Sequence, residues 1–431
     1  MNLIARFARG RFHYGWIVAA ITFLTLLAAA GVRAAPNVLM VPVGNAFQWS
    51  RAAISTAVAI NLLLYGLMGP FAAALYARFG LRRSMMTAMA LVSIGFGSTI
   101  FVHHYWQLVL LWGVMVGAGS GMAATVLGAS VASRWFTERR GLVMGLLTAS
   151  GATGQLVFLP LLASLIETQG WKIAPVVTAS VAAFLIPVIW FLMRDDPRDL
   201  GLLPYGESPT AAATARRTTG NPLRLAFATL REAMRKRDFW LLAGSFFICG
   251  ASTNGLIGTH LVSAAFDCGI PEVRAAGLVA MMGIFDLVGT TLSGWLSDRF
   301  NNRWLLFGYY GLRGLSLIFL PTALAGPEAG LSLFAVFYGL DWIATVPPTL
   351  RLTADVFGPE RAPIVFGWIA ASHQLGAAFA AFSAGALRTG LGDYTVAFMA
   401  AGSLCLIAAL GVLRIHRGKN TALPAGAATA V

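Results

Sequence analysis

Two stretches of this chain decide its architecture: ERRGLVMGLLTASGATG at 138–154 and ERAPIVFGWIAASHQLG at 360–376. Laid one on the other at a shift of 222, Glu138, Arg139, Gly145, Ala149, Ser150 and Gly154 meet Glu360, Arg361, Gly367, Ala371, Ser372 and Gly376. A second pair, LYARFGLRR at 75–83 and LSDRFNNRW at 296–304, superposes at a shift of 221. Unrelated segments do not share an offset by accident. The chain therefore reads as two parallel repeats, related by a pseudo-twofold axis along the membrane normal if the repeats lie in a bilayer.

Composition says that they do. Of 431 residues, 58% are hydrophobic and 11% charged, against about 25% charged in an ordinary soluble domain. Mean hydropathy is +0.73. A crossing needs roughly 20 mostly apolar residues. Runs of that kind fall near 14–36, 52–76, 84–102, 106–133, 141–165, 173–193, 239–265, 275–297, 304–325, 330–356, 362–387 and 394–413. We number these spans one to twelve, six per repeat. The start, MNLIARFARGRFHYGW, has the arginines of a signal peptide, but its apolar run is long and others follow, so it reads as an uncleaved first span.

The net charge of +14 lies between the apolar runs, which points to membrane topology rather than nucleic acid. With the N-terminus in the cytoplasm, 24 of the 31 Lys and Arg fall on the cytoplasmic side and only Arg51, Lys172, Arg274 and Arg388 on the other. Arg33, Arg313 and Arg351 fall within spans. Both termini are thus expected in the cytoplasm. The segment 194–238 reads as a cytoplasmic linker carrying an amphipathic basic helix, LRLAFATLREAMRKRDF. The expected organisation is a six-helix bundle over 1–193, this linker, a second bundle over 239–417 and a disordered tail over 418–431.

Twelve spans, a six-plus-six repeat and basic loops after spans two and eight resemble the major facilitator superfamily. That family's loop signature is similar to G-x-x-x-D-R-x-G-x-R. The second copy keeps Gly294, Asp298, Arg299 and Arg303, with Asn301 for the glycine; the first keeps Arg78, Gly80, Arg82 and Arg83, with Ala73 and Ala77 where Gly and Asp are usual. Within the family, WFTERRGLVMGLLTASGATG at 135–154 resembles the signature of the monocarboxylate-porter branch, matching at Phe136, Arg139, Arg140, Leu142, Gly145, Ala149 and Gly154. The resemblance implies an all-α membrane protein of twelve transmembrane helices, with Arg78, Arg82, Arg83, Asp298, Arg299 and Arg303 in gating loops. It implies transport of a small organic acid or other polar metabolite across a bacterial inner membrane by alternating access, driven by the proton gradient, as in a symport, or by exchange.

Polar residues inside the spans are the candidate machinery, because charge at mid-membrane is costly and is retained for a use. The second half holds Asp286, Arg313, Asp341 and His373; the first offers Asn61, Tyr65 and Gln155. Asp286 resembles the span-eight acid of monocarboxylate porters, but Thr290 stands where that family has an arginine. One of Asp286 and Asp341 is expected to pair with Arg313 and the other to carry a proton. Asn61, Tyr65, Gln155, His260, Asp341, Trp342, His373 and Gln374 are the expected substrate contacts. Arg33 reads as a residue at the outer end of span one, snorkelling toward the interface or forming an anion-attracting vestibule with His260. Pro347 and Pro348 are expected to bend span ten, and Gly113, Gly117 and Gly121 to let span four approach a neighbour closely.

No G-x-x-x-x-G-K-[ST] loop, metal-ligand spacing or nucleophile–base pair occurs in the sequence, and Cys249, Cys268 and Cys405 form no motif. Neither an ATP-driven pump nor an enzyme is expected, and no cofactor or metal. A monomer is expected, with proton, lipid and a small solute as its partners. Alternative cargoes are a flat vitamin such as riboflavin, held by Tyr65 and Trp342, or an exported drug; a binding-only receptor is the non-transport alternative.

Overall fold

The computed structural model describes residues 13–207, 222–358 and 361–416. These are almost wholly helical, as lipid demands: only a helix or a closed barrel satisfies its own backbone there. Among the described residues, eleven helices are long and apolar enough to cross a membrane. The twelfth of the pattern, Asn302–Ala325, is 24 residues long; Arg313, Tyr309 and Tyr310 lower its apolarity. The expected tail, 418–431, lies outside the described residues, as does 208–221 of the linker; the amphipathic helix is present as Pro222–Ala233.

Packing repeats as the sequence does. In the first half span one packs on span five, span two on span four and span three on span six; in the second, span seven packs on eleven, eight on ten and nine on twelve. Between the halves, span two lies on span eleven and span five on span eight, one being the pseudo-twofold copy of the other; spans one and seven meet on the axis.

Close approach comes from small residues, as expected for span four. A Cβ on Gly117 would stand 2.9 Å from the Asn61 Cα, and one on Gly121 3.0 Å from the Tyr65 Cα. These glycines bring span two against span four and so set the depth of Asn61 and Tyr65.

The arginine-rich loops mark one face of the bundle, here the basic face, and the opposite end is the far face. At the far face polar contacts among the described residues join the halves. Arg51 at the start of span two lies 3.9 Å from Asp267 at the end of span seven, and Asp267 also pairs with Arg388 of span eleven at 2.7 Å. The Ala52 amide donates to Thr389 Oγ1 at 3.1 Å. The Val262 amide donates to Asn37 Oδ1 at 3.4 Å.

Span one differs from its expected limits. It is one helix, Gly15–Phe47, of 33 residues with Pro36 and Pro42 inside it. Each proline removes one donor, and the apolar run beyond Pro36 still continues the helix. At 1.5 Å per residue it is about 50 Å long, and Arg33 lies near its middle rather than at its outer end.

Candidate functional site

The charged residues of the second half surround a break in span ten. Helix Glu328–Asp341 stops, and a second helix starts at Val346, immediately before Pro347 and Pro348. Prolines at a helix start need no donor there. The residues between leave backbone groups that a membrane interior cannot hydrate, and side chains satisfy them. Arg313 Nη2 donates to the carbonyls of Asp341 at 2.5 Å and Trp342 at 3.2 Å. Ser293 Oγ donates to the Ala344 carbonyl at 2.5 Å. The Ile343 amide donates to Asp286 Oδ1 at 2.9 Å, and Thr290 Oγ1 donates to the same oxygen at 2.9 Å.

Arg313 pairs with Asp341, not Asp286: its Nε lies 2.6 Å from Asp341 Oδ2. The guanidinium is 1% exposed and also donates to Cys249 Sγ at 2.9 Å. Asp341 Oδ1 is buried without a hydrogen-bond partner. Asp286 is thus a buried acid whose described partners are a hydroxyl and an amide rather than a cation.

The first half is not neutral at mid-depth, as the sequence suggested, because Arg33 belongs there. Its guanidinium stacks over the Tyr65 ring at 4.5 Å. Its Nε is buried without a hydrogen-bond partner, and no carboxylate among the described residues lies within ion-pair distance of it. Arg33 and Tyr65 line a crevice of about 40 Å³ with Ala123 and Ala124 of span four and Thr148 and Gly151 of span five. Span four is broken at this point. Ala123 and Ala124 leave the helical conformation between Gly117–Met122 and Thr125–Trp135, and the Tyr76 hydroxyl donates to the freed Met122 carbonyl. The N-terminal end of the 11-residue half-helix, which carries partial positive charge, therefore opens beside the guanidinium. A crevice of this kind attracts an anion.

The remaining candidates separate into those at the interface of the halves and those enclosed within one. Gln374 of span eleven meets Gly66 of span two, where an added Cβ would collide with its side chain; its Oε1 is buried and unpartnered. One residue earlier, the half-buried His373 ring packs 4.9 Å from Phe246. Asn61 Nδ2 donates to the Trp112 carbonyl at 2.6 Å, which commits it to holding span four. Trp342 is buried edge-on to Tyr338 at 6.0 Å. His260 is fully enclosed, Nδ1 3.2 Å from the Tyr394 hydroxyl and Nε2 2.8 Å from the Ala381 carbonyl; it is not brought together with Arg33. Gln155 lies on the span-five helix, Arg140–Gln169, and its side chain lies outside the described residues.

Loop residues stay within their own halves. Arg82 stacks on Trp190 at 4.3 Å and Arg78 on Phe79 at 5.3 Å. Asp298 lies 3.9 Å from Arg351, Arg299 stacks on Trp295 at 4.0 Å, and Arg303 Nη1 donates to the Leu413 and Ile415 carbonyls. The start of the signature at 135–154 docks the linker: the Tyr205 amide donates to the Trp135 carbonyl at 2.8 Å, and the Thr137 amide donates to the Tyr205 carbonyl at 2.9 Å. Sequence reading missed this dock, the Arg51–Asp267–Arg388 cluster and the place of Arg33. The last was signalled by VLMVPVGNAF, an apolar run that continues span one past Pro36.

Comparison with known proteins agrees with this architecture. The family model described as Major Facilitator Superfamily matches residues 21–350 and 277–429. Among similar proteins are an uncharacterized MFS-type transporter, YcxA, of Bacillus subtilis, 24% identical over 91% of this chain and 92% of its own. Monocarboxylate transporter 13 of Bos taurus is 28% identical over 93% and 88%, and the oxalate:formate antiporter of Oxalobacter formigenes 24% over 93% and 92%. Among solved structures, the D-xylose-proton symporter superposes with a TM-score of 0.71 at 15% identity, covering 94% of this chain and 98% of that one. A bacterial homologue of the lysosomal transporter Spinster, inward-facing and unoccupied, superposes with 0.70 at 17%, covering 93% and 95%. Two matched sets of six helices, a repeat legible in the sequence and a family model matching most of the chain lead to one conclusion: this protein belongs to the Major Facilitator Superfamily.

Proposed function

We propose that this protein carries a small organic acid anion across a bacterial inner membrane by alternating access, coupled to a proton. The observation that carries the substrate class is Arg33: a guanidinium at mid-membrane with no described carboxylate partner, in a crevice that a half-helix N-terminus also faces. Its helix and those of Tyr65 and Gly151 are the spans that meet the second half, so the crevice belongs to the surface that closes and opens. Relatives named for monocarboxylates and for oxalate and formate support an acidic cargo.

In this reading, residues 1–193 and 239–417 are the rocking bodies and 194–238 joins them. The far-face contacts of Arg51, Asn37 and Thr389 close one end, which this reading takes as the outer end of an inward-facing state. An entering carboxylate takes the Arg33 fork, whose plane Tyr65 already holds. Asp286 is the proton site. Its Oδ1 is the acceptor for the Ile343 amide at the span-ten break, and protonation weakens that acceptor. Taking up a proton thereby loosens span eight from span ten and links protonation to rocking. Arg78, Arg82, Arg83, Asp298, Arg299 and Arg303 border the end that must close in the opposite state.

A thermal-unfolding screen of the purified protein with oxalate, formate, lactate, riboflavin and hydrophobic drugs tests the cargo. A ligand at 100 times its Kd stabilises by about 2.7 kcal/mol. We expect at least one small carboxylate to raise the unfolding temperature in wild type and not in Arg33→Gln. Stabilisation by riboflavin or drugs alone overturns the organic-acid reading.

A further inference from the structure

The repeat makes two copies of the loop after spans two and eight, and the copies dispose of their arginines differently. At the shift of 221, Ala77, Arg78 and Arg82 stand where Asp298, Arg299 and Arg303 stand. In the second half Asp298 faces Arg351 at 3.9 Å, and Arg303 donates from Nη1 to the Leu413 carbonyl at 3.3 Å and the Ile415 carbonyl at 3.1 Å, its Nε being buried and unpartnered. In the first half the acid is an alanine. At the end of span six the Leu192 carbonyl accepts from the Tyr14 hydroxyl at 2.7 Å, and that of Met193 accepts from Arg194 at 2.7 Å.

Arg82 lies over the Trp190 ring at 4.3 Å, with its Nε buried and unpartnered. Arg82, Arg78 and Arg83 line a cavity of about 440 Å³. Its one carboxylate, Asp195, accepts from the Arg82 backbone amide at 2.7 Å and so caps span three. Three cations face one acid. The cavity opens on the basic face at the ends of spans two and six, away from the Arg33 crevice. Its rim is apolar: Trp190 is 51% exposed and Phe79 46%, and farther along span six Phe184 is 69% exposed. Aromatic rings at this level belong to the headgroup layer of a bilayer, and basic pockets between helices at that depth suit phosphate-bearing headgroups.

We infer that this cavity binds the phosphate of an anionic phospholipid, with the acyl chains lying along span six over Phe184. The lipid phosphate supplies to the first half the negative charge that Asp298 supplies to the second. A free phosphate would meet the same three arginines but gain nothing from the aromatic rim.

The test uses the full chain, purified in an uncharged detergent and offered equal amounts of phosphatidylglycerol and phosphatidylethanolamine, with retained lipid read by native mass spectrometry. Wild type should retain the anionic lipid at least about fivefold over the zwitterionic one, the scale of one or more arginine contacts at a membrane surface. The Arg82→Gln/Arg83→Gln variant should lose that preference, while Arg231→Gln on the exposed linker helix keeps it. Inorganic phosphate at millimolar concentration should not displace the lipid. Equal retention of the two lipids by wild type overturns the inference, as does an equal loss of preference in the Arg231 variant. Full displacement by inorganic phosphate also overturns it, making the cavity a site for a soluble anion.

Discussion

Arg313 and Asp341 meet at 2.6 Å between spans nine and ten, and the same guanidinium takes the carbonyl at which span ten breaks. The pair therefore holds the break together rather than facing a solute. Breaking a buried pair by removing one partner costs about 3–5 kcal/mol, because the other charge stays behind unpaired. Arg313→Ala should lower the unfolding temperature sharply, and Arg313→Met with Asp341→Leu should recover part of the loss. A folded Arg313→Ala protein of wild-type stability that has merely lost ligand affinity would give Arg313 a role in binding instead.

Asp286 tests the coupling. Asparagine keeps an acceptor for the Ile343 amide and Thr290 hydroxyl but cannot take up a proton. Asp286→Asn should exchange labelled solute across vesicle membranes at a rate near that of wild type, without dependence on pH between about 5 and 8, where proton-linked switches operate. It should fail to accumulate solute under an imposed pH gradient. Normal accumulation by this variant removes Asp286 from the mechanism.

The far-face cluster tests the direction of opening. Asp267 lies between Arg51 of the first half and Arg388 of the second, so Asp267→Asn leaves two like charges across the seam. A partly exposed ion pair contributes up to roughly 1 kcal/mol, which shifts a two-state population about fivefold. A cysteine at Asn37, beneath this seam, should react faster with a membrane-impermeant thiol reagent applied from the far face once Asp267 is neutralised. An unchanged rate means that the cluster does not hold the seam.

Gly117 tests the packing that sets the depth of Tyr65. An added Cβ meets the Asn61 backbone at 2.9 Å, with no flexible side chain there to yield. Gly117→Val should cost about 1–3 kcal/mol of stability by overpacking, read as a fall in unfolding temperature. Gly145, which has open space around it, should tolerate alanine in the same assay.

The fold was legible in the sequence because lipid imposes long apolar runs, and the basic loops sort themselves to one side. Span nine was found as one of these runs although its arginine dilutes its apolarity. The site was legible by residue type and not by partner. Which acid meets Arg313 depends on where span ten breaks, and the partners of the stranded carbonyls come from spans eight and nine. Arg33 was misplaced because Pro36 looked like the end of a helix, although a proline inside a packed membrane helix costs one donor and not the helix. His260 resembled a vestibule residue from its position along span seven; the rotation of that helix, which no periodicity in an all-apolar segment specifies, turns it into the Tyr394–Ala381 contact.

The most direct measurement is uptake of a labelled small carboxylate into vesicles containing the purified protein, with the pH outside lower than inside. The account predicts accumulation by wild type, a loss of at least tenfold in Arg33→Gln with the fold intact, and partial retention in Arg33→Lys, which keeps the charge without the planar fork that lies on Tyr65. Wild-type accumulation by Arg33→Gln, or vesicles that move riboflavin or a drug and no carboxylate, would contradict it.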